Sequence, residues 1–201
     1  MNKKILGISI DGIIRDFIGQ LTKIYEDQIG NPNLPINSYN LEEHFPFQGG
    51  LEEFNHFLYD EFVLEIFGHA KETSLNAMMY VNQLSEKVKC FNCKIKLISK
   101  ELGKSKSATL FFLSKVGCQI DEIIFVKKEE DKWLHCDILL DINPFALENK
   151  PEDKISIKLV TEYNKEIISN YTIDNIKILL EDDKFLEEII NYDFIDYEEV
   201  K

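Results

Sequence analysis

The chain has 201 residues, 44% of them apolar and 29% charged, with a formal net charge of -13 at pH 7. That length supports one substantial core, or a core with an accessory lobe, and the composition is that of a globular chain with little disorder. The charge argues against nonspecific binding to nucleic-acid backbones, and no apolar run approaches the roughly 20 residues that cross a bilayer.

Residues 4–10 form an apolar run without polar alternation, as in a central parallel strand covered on both faces. Only six mostly apolar residues separate Lys4 from Asp11. That is too short for a secretory leader, so a cytoplasmic protein is expected. The run breaks at Asp11-Gly12, and Ile14, Phe17, Ile18, Leu21, Ile24 and Tyr25 then recur at helical spacing. Two prolines and several asparagines make residues 30–40 a loop. Residues 41–45, 51–67 and 76–86 read as helices, so 15–86 contains no credible strand.

Strand and helix then alternate: strand 94–99, helix 105–116 with Gly117 as its stop, strands 122–126 and 137–141, a β-rich run 155–160, and a last helix over 173–190. Such alternation predicts an α/β fold: a Rossmann-like parallel sheet wrapped by helices and joined by right-handed crossovers. A helical cap over residues 15–86 is inserted after the first strand, and residues 1–14 and 87–201 form the core domain. The acidic runs at Glu181-Asp182-Asp183, at Glu187-Glu188 and over 193–199 read as a solvated helix face and a solubilising tail.

Four cysteines in a cytosolic chain are expected as reduced thiols. Cys90 and Cys93 have the gap of half a zinc knuckle, but nothing of matching spacing completes it. His44, His56 and His69 do not share one helix face. Phe45, Phe47, Phe54, Phe57, Phe62 and Phe67 are expected to form the core of the cap, with a minority available to stack on a base.

Chemistry is expected where a parallel sheet gathers its strand ends. Ser9-Ile10-Asp11-Gly12 closes the first strand, Ser99 the second, and Asp141 the run Ile138-Leu139-Leu140-Asp141, with Lys132 in the polar stretch before it. Read singly, Asp11-Gly12 is a turn and helix cap, Ser9 a small packing residue and Lys132 a solvated cation. Together and in order they offer what a phosphate and Mg²⁺ site needs: the backbone N–H at Gly12, the Ser99 hydroxyl and Lys132 for the phosphate, and the acids Asp11 and Asp141 for the metal.

This series resembles the haloacid dehalogenase superfamily of phosphatases, and within it the 5'(3')-deoxyribonucleotidases. Their Asp-x-Asp-Gly motif falls on Ser9-Ile10-Asp11-Gly12, their hydroxyl motif on Ser99, their lysine on Lys132 and their last acid pair on Asp141-Ile142. Tyr163-Asn164 and Leu41-Glu42-Glu43-His44-Phe45-Pro46-Phe47 resemble further nucleotidase segments. The resemblance implies that the residue at position 9 attacks phosphorus and ligates Mg²⁺ and that Asp11 is the general acid and base. Ser9 removes a carboxylate nucleophile and a metal ligand, and Ile142 removes a second carboxylate.

The expectation is therefore a catalytically impaired relative that binds a nucleotide, another small phosphorylated ligand, or a protein partner. One rival is an active Mg²⁺-dependent nucleotidase using Ser9, or a water, with Asp11 as base. The other, prompted by an Asn-, Ile- and Lys-biased composition that fits an AT-rich phage genome, is a structural or host-interaction protein, in the virion or host cytoplasm, built on a dead enzyme fold.

Overall fold

The computed structural model describes residues 3–192. The expected acidic tail over 193–199 lies outside them. Six parallel strands form one sheet: β1 (Lys4–Ser9), β2 (Cys93–Lys100), β3 (Ile123–Val126), β4 (Ile138–Asp141), β5 (Ile155–Leu159) and β6 (Tyr171–Ile173), in the order β3-β2-β1-β4-β5-β6. The expected Rossmann-like α/β fold is therefore present. β1 lies between β2 and β4, with Ser9 opposite Ile98 and Ile8 opposite Leu140. The chain moves outward from β1 in both directions, so the ends of β1, β2 and β4 meet at the switch point where open sheets carry their ligands.

Helix α1 (Phe17–Gln28) starts at Asp16, whose carboxylate accepts the Gly19 N–H at 3.1 Å. After the expected loop come α2 (Leu41–His44) and α3 (Gly50–His56). The single helix expected over 51–67 is instead α3 followed by two wider π-type turns, Phe57–Glu61 and Leu64–Gly68. Phe17, Leu21, Tyr25, Phe45, Phe57 and Phe67 of this region form a buried cluster that also takes in Ala108. Burying each such aromatic side chain stabilises the fold by about 1.5–3 kcal/mol. Helix α4 (Ala77–Val88) buries Met78, Val81, Leu84 and Val88 in a second, larger cluster, with Leu6 and Ile8 of the central strand. The aromatic cluster thus spans residues 17–67, and α4 packs with the sheet.

Helix α5 (Ser105–Lys115) is followed closely by Gly117 at φ +73°, the left-handed stop expected of it. Asn143 caps α6 (Pro144–Glu148), accepting the Phe145 N–H at 2.9 Å with Pro144 in the first turn. The one long helix expected over 173–190 is α7 (Ile178–Glu181) and α8 (Asp183–Ile190). They are separated by Asp182, whose extended backbone breaks the first and whose carboxylate caps the second at Phe185. No helix among the described residues is long and apolar enough to cross a membrane. The four thiols are free, and His44 is buried, bonded to the Asn33 carbonyl and the Ser38 hydroxyl.

Candidate functional site

The turn after β1 is fixed by a close approach. Gly12 has φ +76°, and a Cβ there would stand 1.8 Å from Ile142 Cδ1. Only glycine meets both conditions. The Gly12 N–H donates to the Arg15 carbonyl at 2.8 Å, closing the turn. The loops after β1 and β4 are thereby pressed together.

That contact brings Ser9 to Asp141. The Ser9 hydroxyl donates to Asp141 Oδ2 at 2.5 Å, and Lys132 donates to Ser9 Oγ at 3.0 Å and to Asp141 Oδ2 at 2.8 Å. Asp141 Oδ1 accepts the backbone N–H groups of Ile142 (2.7 Å) and Asn143 (3.0 Å), so both oxygens are engaged. The third partner of the Lys132 ammonium is Glu129 Oε2 at 2.6 Å. Burial opposes the charge on Lys132, but Asp141 and Glu129 outweigh it and raise its pKa. The ammonium is buried, donates to Ser9 and Asp141, and is ion-paired with Glu129.

Asp11, expected as the base for Ser9, faces another cation. Arg15 Nε donates to Asp11 Oδ1 at 2.6 Å, and Arg15 Nη2 lies 3.1 Å from Glu101 Oε1. Nη1 donates to Thr109 Oγ1 at 2.6 Å and to the Phe67 carbonyl at 3.3 Å, and the guanidinium lies over the Phe67 and Phe112 rings. Burial disfavours this cation too, but Asp11 and Glu101 outweigh it and hold the pKa above its ordinary value. The Ser99 hydroxyl, at the end of β2, donates to Glu101 Oε1 at 2.9 Å. Thr109 donates to the same oxygen at 2.6 Å, while Glu101 Oε2 is buried without a partner among the described residues.

The predicted residues therefore gather at one sheet edge in two networks. One is Ser9, Lys132 and Asp141 with Glu129. The other is Asp11 and Ser99, joined through Arg15 and Glu101. Arg15, Glu101, Thr109 and Glu129 were not singled out in the sequence. Charged side chains such as Arg15 and Glu101 are rarely buried unless paired. Tyr163 packs against Tyr39 with ring centroids 5.4 Å apart. Asn164 ties the site's loop together, donating to the carbonyls of Ile142 (3.0 Å) and Leu159 (2.9 Å).

A cleft of about 250 Å³ opens between this edge and the helices of residues 17–67. Asp11, Glu129, Lys100 and Asn143 line its floor side, and Tyr39, Glu42, Phe54, Tyr59 and Phe67 are among its other walls.

The Mg²⁺ implied by the resemblance asks for hard oxygen donors in near-octahedral array. Here Asp141 has four donors on its two oxygens, Asp11 is bound to a guanidinium, position 9 offers a hydroxyl and position 142 a hydrocarbon. Among the described residues, no group of three or more His, Cys, Asp or Glu side chains could hold a metal ion. The residues present do not fit the ion.

No family model matches the chain, and no curated protein matches it in sequence. Solved structures match its backbone. The HAD-hydrolase YfnB of Bacillus subtilis, bound to magnesium, superposes with a TM-score of 0.59 at 11% identity, over 94% of this chain and 100% of that one. A haloacid dehalogenase-like hydrolase from Burkholderia xenovorans gives 0.54 at 12% identity, over 91% and 97%. At such identities the likeness is one of architecture: the chain has the fold of the HAD-like hydrolases.

Proposed function

We propose that this chain is a nucleotidase-type HAD scaffold that has given up phosphoryl transfer and acts by binding. One observation carries the reading: the Ser9 hydroxyl is held between Asp141 and Lys132. A serine attacks only after losing its proton to a base. Its acceptor, Asp141, is neutralised by Lys132 and engaged on both oxygens. Asp11, the other acid at hand, is committed to Arg15. A phosphoserine formed here would also be an ordinary ester, far slower to hydrolyse than an acyl phosphate.

The groups expected to bind phosphate support the same conclusion. The Gly12 N–H and the Ser99 hydroxyl have partners inside the protein, and the Lys132 ammonium is hydrogen-bonded to Ser9 and Asp141 and ion-paired with Glu129. A phosphate would have to displace them.

Incubation with deoxynucleoside monophosphates and p-nitrophenyl phosphate, with and without Mg²⁺, tests the proposal. Phosphate release no faster than that of Ser9→Ala is expected. Release that depends on Mg²⁺ and disappears in Ser9→Ala and Asp11→Asn would establish the active nucleotidase instead.

A further inference from the structure

We infer that the cleft receives a cationic group, an alkylammonium or guanidinium, instead of a phosphate. This inference rests on the non-catalytic reading above and concerns the same site. Asp11, Glu42 and Glu129 line the cleft, with Lys100 as the lining cation. Glu101 and Asp141 stand behind the floor with Arg15 and Lys132. Carboxylates thus outnumber cations on the wall, and the charges behind it balance.

The pairing leaves one carboxylate in surplus in the Arg15 network, and Glu42 adds another at the mouth. Arg15 is one charge shared between Asp11 and Glu101, and Glu101 Oε2 is buried with no donor among the described residues. Lys132 is one charge shared between Asp141 and Glu129, with Lys100 a further 4.0 Å from Glu129 Oε1. Glu42 is exposed at the mouth. A buried carboxylate oxygen without a donor is costly, and a metal that would relieve it has no ligand set among the described residues.

The walls suit an organic cation. Tyr39, Phe54, Tyr59 and Phe67 line the same space, the two tyrosines half-buried and the two phenylalanines buried, and rings attract ammonium and guanidinium groups over their faces. Phe67 already carries the Arg15 guanidinium at 4.8 Å. The field is negative at the tyrosines as well. Burial raises the pKa of the Tyr39 and Tyr59 phenols, and neighbouring acids, Glu129 and Asp11 among them, raise both further.

Calorimetric titration of the whole chain with agmatine, which carries a guanidinium and an ammonium and no carboxylate, tests the assignment against inorganic phosphate at matched ionic strength. Saturable agmatine binding is expected, with none for phosphate. Glu42→Gln, which removes an exposed charge outside the buried networks, should weaken it about two- to fivefold. Tyr59→Leu should weaken it about fivefold.

Two further titrations distinguish the sources of such a group. Tighter binding of spermidine supports a free polyamine, and tighter binding of an arginine-containing peptide supports a protein partner. Phosphate binding without agmatine binding overturns the inference, as does binding of neither, or agmatine binding of equal strength in both variants. Phosphoryl turnover would instead defeat the non-catalytic reading, so the two failures are separable.

Discussion

Arg15 donates to Asp11 at 2.6 Å from a side chain with no solvent exposure, whereas 21% of the Asp11 side chain remains exposed. The acid at the floor of the cleft is thus anchored by a cation from inside the protein. The same guanidinium reaches Glu101, so the ends of β1 and β2 are joined through one side chain. An acid held in this way is a fixed part of the cleft wall.

Arg15→Met should be among the most damaging single changes in the chain. It leaves Asp11 and the buried Glu101 without their cation and removes the donors to Thr109 and the Phe67 carbonyl. Breaking a buried pair from one side costs about 3–5 kcal/mol. The midpoint of urea unfolding should fall accordingly. Adding Glu101→Leu should restore part of the loss, because replacing both buried charges is far cheaper than leaving one. A wild-type midpoint in Arg15→Met would show that the guanidinium does not hold the two strand ends.

Ser9→Asp places a second carboxylate where the hydroxyl now meets Asp141 Oδ2 at 2.5 Å, with Lys132 as the single shared ammonium. The variant should unfold at a lower temperature than the wild type in EDTA. Mg²⁺ should then stabilise it by mass action, about 2.7 kcal/mol at a concentration a hundredfold above Kd. Wild-type thermal stability should be the same in EDTA and in Mg²⁺. Mg²⁺ stabilisation of the wild type would contradict the conclusion that its residues do not fit the ion.

The sheet and the positions of Ser9, Ser99 and Asp141 were legible because each is a local event, an apolar run that stops at a polar residue, whereas Lys132, in a polar stretch, was placed through the family resemblance. β6 was not legible, since Tyr171–Ile173 is three residues long with an exposed Thr172 in the middle. The break between α7 and α8 was hidden because Asp182 sits inside a continuing helical pattern, and its role as a cap depends on its backbone. The partners of the site residues were the least legible. Asp11 and Arg15 are four apart, but Arg15 and Glu101 are separated by 86 positions, and only the folded sheet edge brings them together. Ser99-Lys100-Glu101 contained a signal in retrospect, an acid just past a buried strand end near the expected site.

The thiols should separate by burial. Cys90 is exposed, whereas burial pushes Cys93 up to about 11 and Cys136 up to about 12. At pH 8, iodoacetamide should modify Cys90 well before Cys93 or Cys136 in the native protein. The sign for stability follows from the raised values. Protonated thiols contribute fully below the unfolded value near 8.5, and the contribution is lost as pH rises toward 12 for Cys136. Over that range each such thiol makes stability fall by at most about 1.4 kcal/mol per pH unit. Cys136→Ala should therefore lose less stability than the wild type between about pH 9 and 11. Parallel pH profiles for the two proteins would contradict the assignment.

The contact between Gly12 and Ile142 allows its steric and backbone parts to be separated. Gly12→Ala should cost about 1–2 kcal/mol for placing a side chain at a left-handed φ, plus about 1–3 kcal/mol for forcing Ile142 out of place. Ile142→Ala removes Cδ1 and Cγ1, the two atoms that a Cβ on residue 12 would strike at 1.8 and 2.6 Å, and leaves Ile142 Cβ at 3.5 Å. Alone it should cost about 2–5 kcal/mol as a buried truncation. In the double variant the collision is gone and the backbone penalty remains. The two losses should then sum to more than the measured total, with a coupling of about 1–3 kcal/mol in urea unfolding. Simple additivity would mean that residue 12 must be glycine for its backbone alone, and that the loops after β1 and β4 are not wedged together at this point.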